Sequence, residues 1–371
     1  MTVAAHTLRD QVSGAWRLSD PTGDRRFATL GALTLESGFE LAEVTLAYET
    51  WGTFTGNNAV LVLHALTGDA HASGEAGPGQ PTAGWWDALI GPGKSIDTDR
   101  YFVVSANILG GCQGSTGPAS ITPNGTPWGS RFPRLTVRDQ VKAEALLARE
   151  LGITAWHTVV GGSAGGMRAL EWAISHPSKV HRLLVVATTA WSSAEQIALT
   201  ETQAAAIRAD AHFHGGDYYD EVRGPVAGLE VARRIAQISY RSERELEQRF
   251  GRDRTSAPGE PWAVDAYLRH HGTKLARRFD ANSYLVLGDA MNSHDVGRGR
   301  GGIAVALSRI TARTIVAGID SDRLYPLFQQ QLLAEQIPRS RRLEIVNSAH
   351  GHDGFLIEHD QVGALIDRLL S

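Results

Sequence analysis

Cysteine is almost missing from this chain of 371 residues: Cys112 is the single one. No intramolecular disulfide can form and no zinc cluster can be built from thiolates, which suits a reducing compartment. Long apolar runs are missing too. Nowhere do about 18 apolar residues follow one another, the length a membrane-spanning helix needs. Arg9 and Asp10 interrupt the stretch MTVAAHTLRDQVSGAW, where a secretory signal would be continuously apolar. A cytoplasmic protein is the expectation. A basic excess is absent as well: 36 Lys and Arg stand against 40 Asp and Glu, for a net charge of -4. That balance gives no electrostatic footprint for nucleic acid or an anionic membrane surface, so neither is an expected partner. Internal repeats and low-complexity tracts are not evident. The chain is long enough, at 42% hydrophobic residues, for one large core plus an insertion.

What is present is alternation. Short β-branched runs recur between amphipathic helical segments: EVTLAYET from Glu43, NAVLVLHAL from Asn58, YFVVSANIL from Tyr101, HTVVGG from His157, RLLVVATTA from Arg182, RTIVAGI from Arg313 and RRLEIV from Arg341. Several are apolar on both faces, as strands buried between helix layers are. One helix is signposted at its start, with Thr136 at the cap, Asp139 at the capping-box position and Val137, Val141, Ala145 and Ala148 on one side. This order predicts an α/β fold with a mostly parallel sheet flanked by helices. The pattern breaks at residues 191–296, which read as helices joined by polar loops, among them AEQIALTETQAAAIRAD, GPVAGLEVARRIAQISYRSERELEQRF and WAVDAYLRHHGTKLARRF. The expected organisation is a core of residues 1–190 and 297–371 with a helical lid, 191–296, inserted between late strands over the ligand crevice.

The stretch VVGGSAGGMRALEWA, Val159 to Ala173, sets Ser163 among four glycines, between a strand (Thr158 to Val160) and a helix (Met167 to Ile174). It matches G-x-S-x-G in the strand–turn–helix context that makes the serine a nucleophile. A serine hydroxyl needs a base within reach and a group that orients the base. In this architecture they follow in the order acid, then histidine. AGIDSDRLYP offers Asp320 and Asp322, and NSAHGHDGFLIEHD offers His350, His352 and His359. His359 reads as a surface residue, and spacing does not choose within the other pairs. The loop in VLVLHALTGDAH supplies a candidate oxyanion donor, the Leu66 N–H, beside the Ala164 N–H; His64 and His71 in that loop read as packing residues. GPGKS lacks the first glycine of a phosphate loop, since Ala88 stands there, and the histidines of HGHD lack further ligands for a metal. GRGRGG reads as a loop entering the helix IAVALSRI.

Together HALTGDAH, GPGKSIDTDRYFVVSANILGGCQGSTGP, WGSRFPRLTVRDQV, GGSAGGMRALEW, ARRIAQISYRS, RFDANSYLVLGDAMNSHDVGRGRGG, SDRLYP and GHDGFL resemble the homoserine O-acetyltransferases, in order from about Leu33 onward. The resemblance implies an α/β-hydrolase fold and an acyltransferase of methionine biosynthesis that moves the acetyl group of acetyl-CoA to L-homoserine through an acyl-serine. No resident cofactor and no metal are implied, and a homodimer is. The matching motifs assign the acid to Asp322 and the histidine to His352. They place substrate-binding residues at Arg233, Tyr240 and Asp353, where a guanidinium would meet the carboxylate of homoserine and a carboxylate its ammonium. This chain departs from the family pattern at Ala164, where methionine is usual. A smaller side chain there would widen the acyl pocket and leaves a succinyl donor as an alternative. The rival readings are a serine esterase with the same triad and a non-catalytic ligand receptor with this fold.

Overall fold

The computed structural model describes residues 12–257 and 259–371. Arg9 and Asp10, weighed above against a secretory signal, lie outside the described residues. Eight strands form one sheet in the order β1-β4-β8-β5-β9-β10-β11-β12. They are β1 (Arg26–Thr29), β4 (Thr45–Trp51), β5 (Ala59–Leu63), β8 (Phe102–Ala106), β9 (Thr158–Gly162), β10 (Arg182–Val186), β11 (Arg313–Ile319) and β12 (Ser340–Val346). Two further pairings of two-residue strands, β2 (Leu33–Thr34) with β3 (Glu40–Leu41) and β6 (Ile90–Gly91) with β7 (Ile96–Asp97), stand apart from it. From β8 to β12 every neighbouring pair is parallel, whereas β4 runs antiparallel to both β1 and β8.

The doubly apolar strands explain the layering. Along β5, Ala59, Leu61 and Leu63 enter one core cluster while Val60 and Val62 enter another. In β10, Leu183 and Val185 go to the first and Leu184 and Val186 to the second. The period of two sends alternate residues to opposite faces, so each face needs its own helix layer. Helices α1 (Val137–Glu150), α2 (Ala164–Ser175) and α9 (Leu327–Gln336) cover the first face; α11 (His359–Leu370), with α10 (Gly354–Ile357) before it, covers the second. The capping box at α1 forms as read: Thr136 accepts from the Asp139 N–H and Asp139 answers the Thr136 N–H.

Between β10 and β11 the chain builds α3 (Ala194–Arg208), α4 (Val226–Tyr240), α5 (Glu243–Phe250), α6 (Ala263–Ala276) and α7 (Ala281–Asn292), then α8 (Ile303–Leu307) after the glycine loop. Ile207, Leu229, Leu275, Phe279 and Tyr284 from this region share a cluster with Ile108 and Cys112 of the sheet's loops. Its two ends lie side by side: Trp191 bridges Asp295, Ser192 N–H donates to His294 O at 2.9 Å and Val296 N–H to Ala190 O at 2.9 Å. Two details differ from the sequence reading. The run from Gly224 to Phe250 is two helices, because Arg241 is extended and Ser242 caps α5 through its bond from the Glu245 N–H. Helix α7 was not anticipated, because its start, Asp280-Ala-Asn-Ser, carries the polar residues of a loop; Asp280 is in fact its N-cap. No helix among the described residues is long and apolar enough to cross a membrane.

Candidate active site

Close packing dictates the glycines around Ser163. A Cβ at Gly161 would lie 2.3 Å from the Gly165 carbonyl oxygen, and one at Gly165 would lie 2.0 Å from the Leu63 carbonyl oxygen. Only without side chains can β9, β5 and the start of α2 meet this closely. The helix accordingly begins at Ala164, earlier than the Met167 expected from sequence. Ser163 is left at φ 55° and ψ -126°, a strained conformation for a residue with a side chain, costing about 1–3 kcal/mol. Its N–H bonds Val186 O at 3.0 Å and its carbonyl accepts from the Thr188 hydroxyl at 2.9 Å, so the strain is held on both sides.

The three groups meet at the C-terminal ends of the strands. Ser163 Oγ lies 2.8 Å from His352 Nε2, and His352 Nδ1 lies 2.6 Å from Asp322 Oδ2. Asp322 Oδ1 accepts from the N–H groups of Leu324 at 2.8 Å and Tyr325 at 2.9 Å, which fixes the carboxylate after β11. These bonds put the imidazole proton on Nδ1 and leave Nε2 to accept from serine. The alternatives that spacing left open fall elsewhere. Asp320 receives the Ser348 N–H at 2.9 Å, a loop brace, and His350 sits beside Glu245 at 3.2 Å. Burial penalises the His352 imidazolium, but the Asp322 charge and hydrogen bond, with Asp353 behind them, outweigh it and hold the pKa above the ordinary histidine value.

Ser163 and His352 open onto a shared cavity. Leu66, Arg233, Tyr240 and Asp353 all line it. Arg233, from α4, places its guanidinium carbon 5.2 Å from the Tyr240 ring centroid, and the Tyr240 ring lies 5.8 Å from that of His352. Asp353 Oδ2 is 3.1 Å from Arg241 Nη2, a partner that sequence reasoning did not single out. Ala164 is the first residue of α2, where a helix leaves N–H groups without partners inside itself. It is buried and is not among the described residues that border the cavity.

Three further side chains support the site. Tyr325 stacks on His352 with centroids 4.9 Å apart and planes at 24°. His64 accepts from the Ile108 N–H at Nε2 (3.1 Å) and so donates from Nδ1 to Ala65 O (2.7 Å), bracing the loop that carries Leu66. Burial and the Arg168 charge push its pKa down, so it stays neutral. Arg168, fully buried on α2, holds His64 O at 2.5 Å and pairs with Glu144 of α1. His71 is likewise a packing residue, with Nδ1 2.9 Å from Glu49 and Nε2 3.2 Å from Glu75 O.

A family model of the alpha/beta hydrolase fold matches residues 58–352. The homoserine O-acetyltransferase of Thermobifida fusca (strain YX) is 59% identical over 367 residues, 97% of either chain. The crystal structure of homoserine O-acetyltransferase from Bacillus anthracis is similar with a TM-score of 0.85 at 27% identity, over 94% of this chain and 97% of that one. That of esterase E22 is as similar, with a TM-score of 0.85 at 27% identity over 94% of this chain and 99% of that one. At this identity over nearly the whole length, the chain belongs to the homoserine O-acetyltransferase family, acyltransferases with the α/β-hydrolase fold.

Proposed function

We propose that this protein moves the acetyl group of acetyl-CoA to the side-chain hydroxyl of L-homoserine, giving O-acetyl-L-homoserine and CoA for methionine biosynthesis. The observation that carries the reading is the hydrogen-bonded series Ser163, His352, Asp322 opening onto one cavity with Arg233 and Asp353. His352 Nε2 takes the serine proton as Oγ attacks the thioester carbonyl carbon. The CoA sulfur leaves with that proton. Homoserine then gives its hydroxyl proton to His352 as its oxygen attacks the acetyl carbon, and Ser163 Oγ leaves and recovers a proton from the imidazole. The Leu66 and Ala164 N–H groups stabilise the oxyanion of both steps. Arg233 meets the homoserine carboxylate and Asp353 its ammonium, while residues 191–296 act as a lid that supplies Arg233 and Tyr240. No resident cofactor enters these steps.

An acetyl donor is favoured over succinyl by the wall around Ser163. Leu66, Met291, Leu324 and Phe355 are apolar, and Arg233 is the one cation among the described residues lining the cavity. A cytoplasmic homodimer belongs to the same reading; Val231 and Ile238, exposed two turns apart on α4, give a face for such pairing. Ester hydrolysis by the same triad is the second reading, favoured by the likeness to esterase E22. The test is CoA release from acetyl-CoA and succinyl-CoA, with and without homoserine, followed with a thiol reagent. Burial pushes the Cys112 thiol up to about 12, so the folded protein contributes little signal. Sustained release with acetyl-CoA and homoserine together is expected; equal release without homoserine would make water the acceptor.

The raised His352 pKa also sets a pH profile. The base must be neutral, so kcat/KM for acetyl-CoA rises with pH along a limb centred above 6.5, the ordinary value. In Asp322→Asn the raising charge is gone while burial remains, and the limb moves to lower pH. Stability runs the other way: the Asp322–imidazolium contribution is full below 6.5 and is lost as pH rises through the folded value. A limb at or below 6.5 in the unmodified protein would contradict this electrostatic account.

A further inference from the structure

A pocket that takes a zwitterion must keep its own two charges apart. Arg233 and Asp353 line one cavity, and opposite charges in a partly dry space attract, yet the two are not paired. The end of α4 explains why, because its last residue and the next hold one charge each. The Arg233 guanidinium carbon lies 5.2 Å from the Tyr240 ring centroid, and Arg233 has no carboxylate partner among the described residues. Arg241 Nη2 lies 3.1 Å from Asp353 Oδ2, with the two side chains only 12% and 16% exposed. Asp353 Oδ1 has no partner among the described residues. Arg241 is itself fixed from behind. Its Nη1 donates to Glu245 Oε1 at 3.1 Å and Oε2 at 3.3 Å, and its backbone is extended between α4 and α5. That junction is pressed against the loop of the catalytic histidine: a Cβ on Gly351 would lie 2.6 Å from Tyr240 O and 2.7 Å from Ser242 N, and Ser242 Oγ donates to Ala349 O at 2.5 Å. Arg241 is not among the described residues that border the cavity, so it acts through Asp353.

Resting on the reading of Arg233 and Asp353 as the homoserine clamp, we propose that Arg241 is a positioning residue that sets acceptor specificity by holding Asp353 away from Arg233. Oδ1 is thereby left for the substrate ammonium and the Arg233 guanidinium for the carboxylate. The charge that Arg241 brings does not weaken Asp353 for this task. Glu245 offsets it, so Arg241, Glu245 and Asp353 together keep one negative charge for the ligand. Without Arg241 the Asp353 carboxylate turns to Arg233, and the clamp closes on itself before homoserine arrives. Acceptors without charged ends do not use the clamp and are unaffected.

The test is Arg241→Gln, which keeps a polar side chain and removes the charge. With saturating acetyl-CoA, kcat/KM for homoserine should fall about tenfold or more. With n-propanol as acceptor, kcat/KM should stay within about twofold of the unmodified protein. γ-Hydroxybutyrate has the carboxylate and no ammonium, so it reads Arg233 alone. It should lose as well, and adding Asp353→Asn should restore it to the level of Asp353→Asn by itself, because an amide no longer ties up the guanidinium. A structural fault would lower every acceptor and would not be repaired by a second substitution. Unchanged or improved use of homoserine, an equal loss with n-propanol, or no recovery in the double variant would overturn the proposal. Labelling of Ser163 by a fluorophosphonate checks that the variant is folded. Should it fail to label, Arg241→Lys carries the test: one ammonium cannot hold Asp353 and Glu245 as the guanidinium does, so homoserine should lose while n-propanol holds, and no such selective loss would overturn the proposal. If Arg233→Gln and Asp353→Asn, each alone, leave homoserine as good an acceptor as before, the clamp reading itself fails, independently of Arg241.

Discussion

Ser163→Ala is expected to lower acyl transfer by about 10⁴-fold or more, and His352→Ala by a similar factor, with the double variant little worse than either. The losses do not add because attack by the hydroxyl and its deprotonation form one unit; once Oγ is gone, a perfectly placed imidazole has no proton to take. Asp322→Asn keeps the shape but lets the imidazole proton move to Nε2, the wrong nitrogen for accepting from serine, and should itself cost about 10⁴-fold. The alanine variant should fold normally. Alanine meets the same penalty at φ 55° as serine does, and His352 keeps its 2.6 Å bond to Asp322. Steady-state CoA release and intact mass after exposure to acetyl-CoA measure the effect. Activity above about a hundredth of the original in Ser163→Ala would mean that acyl transfer takes a route that bypasses the serine.

Glu144→Gln should destabilise the protein by about 3–5 kcal/mol. Glu144 and Arg168 are both buried, and the carboxylate also accepts from Trp172 Nε1 at 2.7 Å. A neutral amide leaves the Arg168 guanidinium charged in a nearly dry interior with carbonyl dipoles as its main compensation. Replacing both partners by apolar residues, Glu144→Leu with Arg168→Met, removes the stranded charge and should recover much of the loss. It should not recover activity to the same extent, because Arg168 also holds His64 O at 2.5 Å, and His64 braces the loop that presents the Leu66 N–H. Urea unfolding and kcat measured on the single and double variants separate the two effects. A single variant within about 1 kcal/mol of the original would show that the pair is well solvated; a fully active double variant would detach Arg168 from any role in holding the Leu66 loop.

The central strands were readable because each is apolar on both faces, and Thr136 with Asp139 announced the helix they cap. The edge strand Arg26–Thr29 was not: three of its four residues are exposed, so no burial pattern marks it. Within the site, Ser163 could be read locally because the close approach of Gly161 and Gly165 is written in consecutive residues. His352 and Asp322 each had a rival two residues away, and local pattern cannot separate neighbours whose difference is which way a loop turns; the family motifs did so. Arg168, Arg241 and Tyr325 had no local signature at all. Each touches a group distant in sequence, such as His64, Asp353 or His352, and a side chain that looks like an ordinary helix or loop residue finds that neighbour only when the chain closes.

The side-by-side ends of the helical insertion bear on how the triad comes together at all. Strands β10 and β11 are neighbours with Arg182 opposite Arg313, about 130 residues apart in the chain, and closing so long a flexible loop costs about 4 kcal/mol of entropy. Once α3 to α7 have packed together, the Trp191–Asp295 stem has already closed most of that loop, and the remaining span is short. Ser163 lies before this seam, whereas Asp322 and His352 lie beyond it. Damage to the packing of α6 or α7 is therefore felt first as a missing acid and base, while the strained serine turn, assembled from β5, β9 and α2, stands complete but inert.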